Sequence, residues 1–236
     1  ASLKKFSTCN ICIAFLLVFL PLFDSEIFAD VASPTAILGA LDIEVDLIKN
    51  SLERKEEHIF LGRKFYSGEI GGRKIIVATT GVGKVNAAIA TTLLIEHFKP
   101  REIISTGTAG AVNPQLLFGD VVIAAKTGYH DLGTSRNRGI IPRGVKNPLT
   151  GEKNPIFFPA NTRLMNIVAE VAKNVKLKPM MDGQRKRNPQ IVKGVITSGD
   201  IFVSSQGEKD GLRDDFHADV VDMEGAAIAQ VCWQQG

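Results

Sequence analysis

The chain has 236 residues, of which 44% are hydrophobic, and it carries 28 Lys and Arg against 25 Asp and Glu. The length favours a single domain, and the hydrophobic fraction is that of a folded protein. The net charge of +3 is too small to indicate binding to nucleic acid, so we expect no nucleic-acid partner.

The N-terminus has the pattern of a secretory signal peptide. Two lysines precede "ICIAFLLVFLPLF", Ile11 to Phe23, an apolar run of 13 residues. Ala29 follows as a small residue of the kind that precedes a signal-peptide cleavage site. The run is shorter than the about 20 residues that span a bilayer, and an uncleaved anchor is the alternative. We expect residues 1–29 to be a signal peptide, so that the protein is exported (periplasmic or secreted) and meets a membrane only through this transient segment. Residues 30–236 then form the domain.

The three cysteines indicate no disulfide in the mature chain. Cys9 and Cys12 form a C-x-x-C pattern, which in another context indicates a redox pair. Both lie at the edge of the apolar signal core and leave with it. Cys232 is then the only thiol, so an intramolecular disulfide is excluded.

The first half of the mature chain alternates strand and helix patterns. "TAILGA" is typical of a buried strand, and "DIEVDLIKNSLE" has helical spacing with Asp42 as the expected N-cap. "KFYSGEIGGRKIIVATT" predicts two strands around a Gly71-Gly72 turn. "GKVNAAIATTLLIEHF" predicts a helix that begins near Lys84.

The stretch "ATTGVGKVNAA" has the look of a nucleotide-binding loop but lacks its defining residues. A P-loop requires Gly, four residues, then Gly-Lys-Ser/Thr. Here Val85 follows Gly83-Lys84, and Ala78 stands where the first glycine is needed. The motif therefore argues against an NTPase.

The second half continues the alternation. Strand patterns occur in "EIISTGTAGA", "GDVVIAAKTGYHD" and "QIVKGVITSGD", and helical patterns in "ANTRLMNIVAEVAKNV" and after "ADVVDMEG". Residues 132–160 contain four prolines and are expected to form a long loop. "RKR" (185–187) is expected in a solvated loop. Together the pattern predicts an α/β fold, a three-layer sandwich with a mixed sheet.

Four strand ends share one design, in which a buried strand leads into small residues and a polar group. They are "ILGALDIE", "STGTAGA", "TSGDIFVSS" and "VVDMEGAA". Ligands of α/β proteins bind where strands end, and small residues let a flat ligand approach the backbone. These ends are the expected site.

Six segments carry a family resemblance in order and spacing: "LGALDIEVDLI", "TTGVGKVNAA", "ISTGTAGAV", "FGDVVIA" with "YHD", "SGDIFV" and "VVDMEGAAIAQVC". They resemble the 5'-methylthioadenosine/S-adenosylhomocysteine nucleosidases of the purine nucleoside phosphorylase superfamily, from Thr35 to the chain end. The resemblance implies a three-layer α/β/α sandwich with a central mixed sheet, a homodimer and no cofactor or metal. It also implies hydrolysis of the bond between adenine and a 5'-thio-substituted ribose.

The resemblance assigns three catalytic residues. Glu44 matches the carboxylate that activates water, and Glu224 the carboxylate that binds the ribose hydroxyls and stabilises the cationic sugar. Thr108 matches a serine of most relatives and keeps its hydroxyl. Taken alone, Glu44 could equally be a helix-start acid favoured by the helix dipole.

The same resemblance assigns the substrate-binding residues. Phe202 matches the ring that stacks on adenine, although alone it could be a core residue, and Val203 matches the residue whose backbone reads the adenine edge. The pocket is completed by small and apolar residues: Leu41, Val82, Gly107 and Met223.

One departure concerns the leaving group. Relatives continue past the "DMEG" helix into a strand that ends in an Arg and a Ser-Asp pair, whose Asp promotes protonation of adenine. This sequence stops at Gly236, and no residue in it takes that role. We expect the domain to be truncated at its C-terminus.

Two other functions fit parts of the pattern. A nucleoside phosphorylase would need cations or backbone donors for phosphate, whereas Asp42 and Glu44 repel it. A secreted storage protein of this fold would carry a signal peptide, yet Glu44, Thr108 and Glu224 are intact. We therefore favour hydrolysis over phosphorolysis and over a storage role.

Overall fold

The computed structural model describes residues 33–136, 139–182 and 185–236. The predicted signal peptide, residues 1–29, and its two cysteines lie outside these ranges. None of the helices within the ranges has the length and apolarity that crossing a membrane requires.

The described chain alternates strands and helices. The strands are β1 (Thr35–Gly39), β2 (Glu53–Phe60), β3 (Arg63–Ile70), β4 (Arg73–Thr79), β5 (Glu102–Ser105), β6 (Gly110–Ala111), β7 (Val121–Tyr129), β8 (Gly133–Arg136), β9 (Gly139–Pro142), β10 (Phe157–Pro159), β11 (Met180–Asp182), β12 (Arg185–Arg187), β13 (Ile191–Ser198) and β14 (Val220–Asp222). The helices are α1 (Asp42–Asn50), α2 (Lys84–Phe98), α3 (Thr162–Ala172), α4 (Gln206–Phe216) and α5 (Gly225–Gln235).

Two five-stranded sheets carry the fold, in the orders β2-β3-β4-β1-β5 and β10-β7-β13-β14-β6. In the first, β1 pairs in parallel with β4 and β5, while β2, β3 and β4 form antiparallel hairpins. In the second, β13 pairs in parallel with β7 and β14. The carboxyl ends of β1, β5, β13 and β14 carry the four sequence segments expected at the site.

Small residues let the helices pack closely on the sheets. The largest buried cluster joins the first sheet to α2 and α5, and its members are Ala36, Leu38, Phe65, Ile76, Ala78, Ala87, Leu94, Ala227 and Ile228. The alanines of α2 and α5 allow their axes to approach, since interaxial distance depends on the side chains at the contact. A second cluster, around Val45 and Val77, fixes α1.

The α/β class and the mixed pairing are confirmed. The described strands divide between two sheets, a division that the sequence pattern did not predict. The Gly71-Gly72 hairpin and the start of α2 at Lys84 are also as predicted. The N-cap of α1 is Leu41, one residue before the expected Asp42.

Two other predictions on the second half need correction. Residues 132–160 contain the β8–β9 hairpin and strand β10, in addition to loop. Arg185–Arg187 is strand β12, paired with β11, and was wrongly expected to be a solvated loop. The segment pairs antiparallel with Met180–Asp182, and its last residue, Arg187, is held by an ion pair in which it donates to the buried carboxylate of Asp120 at 2.7 Å.

Candidate active site

Glu44 lies at the third position of α1, just past the end of β1, and its side chain folds back over the start of the helix. One carboxylate oxygen, Oε2, accepts hydrogen bonds from the N–H groups of Ala40 (2.8 Å) and Leu41 (3.0 Å). These N–H groups precede the helix and have no carbonyl partner within it. Glu44 therefore does cap the helix, as the helix-start interpretation expects.

The other oxygen of Glu44 is bound from a different part of the chain. Oε1 accepts from the Thr108 N–H at 2.8 Å and from the Thr108 hydroxyl at 2.9 Å. Gly107 makes this approach possible, because a Cβ there would lie 3.2 Å from Oε2 of Glu44. The loop after β5 and the start of α1 thus meet on one carboxylate.

The four donors determine the charge of Glu44. Partial burial acts to raise the pKa of this carboxyl, but the hydrogen bonds from Thr108, Leu41 and Ala40 outweigh it and hold the pKa below its ordinary value of 4.5. Glu44 is consequently ionised at neutral pH, and each of its two oxygens accepts from two donors.

Glu224 lies between β14 and α5 and has the opposite electrostatic character. Its Oε1 accepts from the Gly83 N–H at 2.7 Å, and its Oε2 from the Met223 N–H at 3.3 Å. Burial, and then the charges of Asp222 and Glu44, raise its pKa above the ordinary 4.5, although the Gly83 hydrogen bond acts against the rise. The charge of Glu44 is one of the contributions to this rise, which indicates that the two carboxylates lie near each other.

Asp222 and Ser198 support Glu224, and sequence reasoning assigned neither of them a role. The Ser198 hydroxyl donates to Asp222 Oδ1 and accepts from the Ala226 N–H at 2.8 Å. Asp222 Oδ2 accepts from the Gly225 N–H at 3.1 Å, and burial raises the pKa of Asp222. These bonds satisfy the first N–H groups of α5 and fix the turn that presents Glu224. The sequence signal that could have identified Asp222 is its position, an acidic residue two positions before Glu224.

Two of the predicted pocket residues are close to these carboxylates in the chain, since Leu41 is three positions before Glu44 and Met223 directly precedes Glu224. Leu41 and Val82 are exposed, and Met223 is half-buried. Phe202 has 82% of its surface exposed, which excludes the core alternative for its ring. Val203 instead packs against the cluster of Val112, Leu212, Phe216, Ala218 and Val221, so its side chain serves packing.

A protein-family model described as the phosphorylase superfamily matches residues 34–236. A 5'-methylthioadenosine/S-adenosylhomocysteine nucleosidase from Bacillus cereus (strain AH187) is 34% identical over 203 residues, which are 84% of this chain and 79% of the relative. The chain belongs to this nucleosidase family of the phosphorylase superfamily.

Solved structures agree with this membership. The nucleosidase from Neisseria meningitidis in complex with methylthio-immucillin-A superposes with a TM-score of 0.71 at 31% identity, covering 86% of this chain and 80% of that one. The futalosine hydrolase of Helicobacter pylori superposes with a TM-score of 0.70 at 29% identity, with the same coverage of both chains. The fold is therefore shared with a nucleosidase and with a futalosine hydrolase.

Proposed function

We propose that the protein hydrolyses the N-glycosidic bond of 5'-methylthioadenosine, S-adenosylhomocysteine or both, releasing adenine and the 5'-thioribose. The observation that carries this proposal is a pair of carboxylates with opposite pKa shifts, Glu44 and Glu224, at adjoining strand ends of a chain in this family. Environments that push two titratable groups apart are typical of acid–base sites.

Glu44 is assigned the activation of water. It is ionised, and its Oε1 and Oε2 are each held by two N–H or O–H donors, which fixes the orientation in which the carboxylate can accept a proton from water. The Thr108 hydroxyl donates to Oε1 of Glu44 and so helps to orient this base.

Glu224 is assigned to binding the sugar of the substrate. Its ionised carboxylate accepts hydrogen bonds from the ribose hydroxyls and stabilises the positive charge that develops on the ring. The Gly83 N–H holds one of its oxygens at 2.7 Å and so orients the group.

The substrate-binding set completes the pocket. Phe202 offers an exposed ring for the face of adenine, and the Val203 backbone offers polar groups for its edge. The remaining walls, for ribose and the thio substituent, are assigned to Leu41, Val82, Gly107 and Met223.

The contacts of Glu44 favour water over phosphate as the nucleophile. The N–H groups of Ala40, Leu41 and Thr108, with the Thr108 hydroxyl, form a cradle suited to an anion. The carboxylate of Glu44 itself fills this cradle, so phosphate meets no free donor there. A phosphorylase would need those donors for its substrate.

Adenine release from 5'-methylthioadenosine in phosphate-free buffer tests the proposal. We expect release without added phosphate, measured by chromatography, with S-adenosylhomocysteine and adenosine as comparison substrates. Strict dependence on phosphate would assign the protein to the phosphorylases. Tight binding of the nucleoside without turnover would favour the storage or binding function.

We further propose a homodimer, supported by apolar residues that face outward on two helices. Ile43 and Leu47 on α1 are 81% and 82% exposed, and Val85 and Ile89 on α2 are also exposed. In each helix the pair is four residues apart and lies on one face. Light scattering should give a dimer that L47D converts to a monomer, and a monomeric wild-type protein would contradict the proposal.

Export through residues 1–29 is also proposed, on the basis of the signal-peptide pattern alone. Fractionation of cells that express the chain with and without residues 1–29 tests it. Retention of both forms in the cytoplasm would contradict it.

A further inference from the structure

Lys84, from the motif that superficially suggests a P-loop, makes contacts that the roles above do not use. Its ammonium donates to Asp131 Oδ2 at 2.6 Å and lies 3.7 Å from Asp200 Oδ2. Its backbone N–H donates to Asp200 Oδ1 at 2.8 Å. The ammonium also lies 5.5 Å from the centre of the Tyr129 ring, within the range of a cation–π contact.

Asp131 is the shared anchor of this network. It follows strand β7, only 11% of its side chain is exposed, and its Oδ2 also accepts from the Asp200 N–H at 2.9 Å. One shielded oxygen thus binds two segments at once: the first residue of α2, which directly follows the Gly83 turn, and the turn after β13. A shielded, charge-assisted arrangement of this kind is stronger than an exposed ion pair.

Each of these two turns carries a part of the site. The turn before α2 presents the Gly83 N–H to Glu224 at 2.7 Å. The turn after β13 contains Asp200 and leads directly to Phe202 and Val203. Gly83 has a φ of +94°, and a Cβ there would lie 3.0 Å from Asp200 Oδ1, so the two turns are in close contact.

We propose that Lys84 and Asp131 are positioning residues that hold the Gly83 N–H on Glu224 and join the ribose side of the pocket to the adenine side. Lys84 touches no substrate in this account; it acts through Gly83 and Asp200. The inference rests on the proposed function for its catalytic consequence, while its geometric consequence can be measured without turnover.

Amide hydrogen exchange in the ligand-free protein tests the geometric consequence. In K84M the exchange of the Gly83 and Asp200 amides should accelerate by about tenfold or more relative to the core amides of β13. K64M is the matched control, because it removes an exposed ion pair with Glu57 at 3.1 Å, and it should leave both amides unchanged. Unchanged exchange at Gly83 in K84M would overturn the proposal.

The double variant K84M/D131N keeps the experiment decisive if K84M folds poorly. It removes both charges and therefore leaves no unpaired carboxylate in the shielded position. Its Gly83 amide should exchange as fast as that of K84M. Protection equal to that of the wild-type protein would overturn the proposal.

The pH profile of kcat/KM tests the catalytic consequence. The Gly83 hydrogen bond lowers the pKa of Glu224, so its loss in K84M should move the acid limb to higher pH. K84R should return the acid limb part of the way to its wild-type position. K84M/D131N should keep the shift to higher pH seen in K84M, although its net charge equals that of the wild-type protein. A limb unmoved in K84M, or restored in the double variant, would contradict positioning through Gly83. A wild-type protein without turnover would instead refute the proposed function, and amide exchange would still decide the positioning.

Discussion

Thr108 binds a single oxygen of Glu44 twice, through its N–H at 2.8 Å and its hydroxyl at 2.9 Å. The two residues are 64 positions apart, and the carboxylate joins the ends of two neighbouring parallel strands, β1 and β5. The arrangement keeps Glu44 ionised and fixes the oxygen that the proposed mechanism uses as a base.

Removing the Thr108 hydroxyl should therefore lower activity without unfolding the protein. A hydrogen bond to a charged group contributes about 1.5–3 kcal/mol, so T108A should reduce kcat/KM by roughly tenfold or more. T108S keeps the hydroxyl and should stay within a few-fold of wild type. Equal rates for T108A and T108S in a steady-state assay would show that the hydroxyl takes no part.

Exchanging Glu44 for Gln should abolish turnover and should also destabilise the fold. Whichever oxygen becomes the amide NH2 would face N–H donors from Ala40 and Leu41 or from Thr108, so those hydrogen bonds are lost; because the donors are exposed or half-buried, we expect a cost of about 1 kcal/mol. Chemical denaturation measures this cost. D42N, an exposed change in the same helix turn, is the control and should alter neither stability nor rate. Wild-type turnover in E44Q would remove Glu44 from the mechanism.

Adding a single methyl group at Gly107 should disturb Glu44 directly. The new Cβ would lie 3.2 Å from Oε2 of Glu44, tighter than an ordinary contact, so the carboxylate must shift away from Thr108. We expect G107A to lower kcat far more than it raises KM. G207A is the matched control, since its Cβ meets open space in α4, and it should raise stability by about 0.5–1 kcal/mol without changing the rate. Identical kinetics in both variants would refute the close approach.

The acid limb of kcat/KM should report Glu224. Its pKa lies above 4.5, whereas that of Glu44 lies below it, so activity should fall first as Glu224 gains a proton. Because the charge of Asp222 contributes to raising the pKa of Glu224, D222N should move the limb to lower pH. D46N removes an acidic residue from the surface of α1 and should leave the acid limb unchanged. A limb that does not respond to D222N would assign it to another group.

Segments with a clear apolar pattern were the ones that sequence reasoning placed correctly. Strands β4 and β13 are apolar because they lie inside their sheets, so their composition reveals them. Strand β2, "ERKEEHIF", is an exposed edge strand and shows no alternation, so it was missed. Helix α4 was missed for a similar reason, because it contains two glycines and buries only Leu212 and Phe216.

The sequence predicted which residues form the candidate site, but only partly which hydrogen bonds join them. Resemblance identified Glu44 and Glu224 as candidates, yet no local pattern shows that Thr108 and Gly83 supply their hydrogen bonds. The same holds for Lys84, whose partner Asp131 lies 47 positions away. Contacts between strand ends depend on how the sheets align the strands, which a single sequence does not encode locally.

The central claim is that the carboxylate of Glu44 occupies the cradle that would otherwise hold phosphate, and so makes water the nucleophile. Mass spectrometry of the sugar formed from 5'-methylthioadenosine in a phosphate buffer tests it most directly. We predict free 5-methylthioribose as the only sugar product at every phosphate concentration. Formation of 5-methylthioribose 1-phosphate would contradict the account.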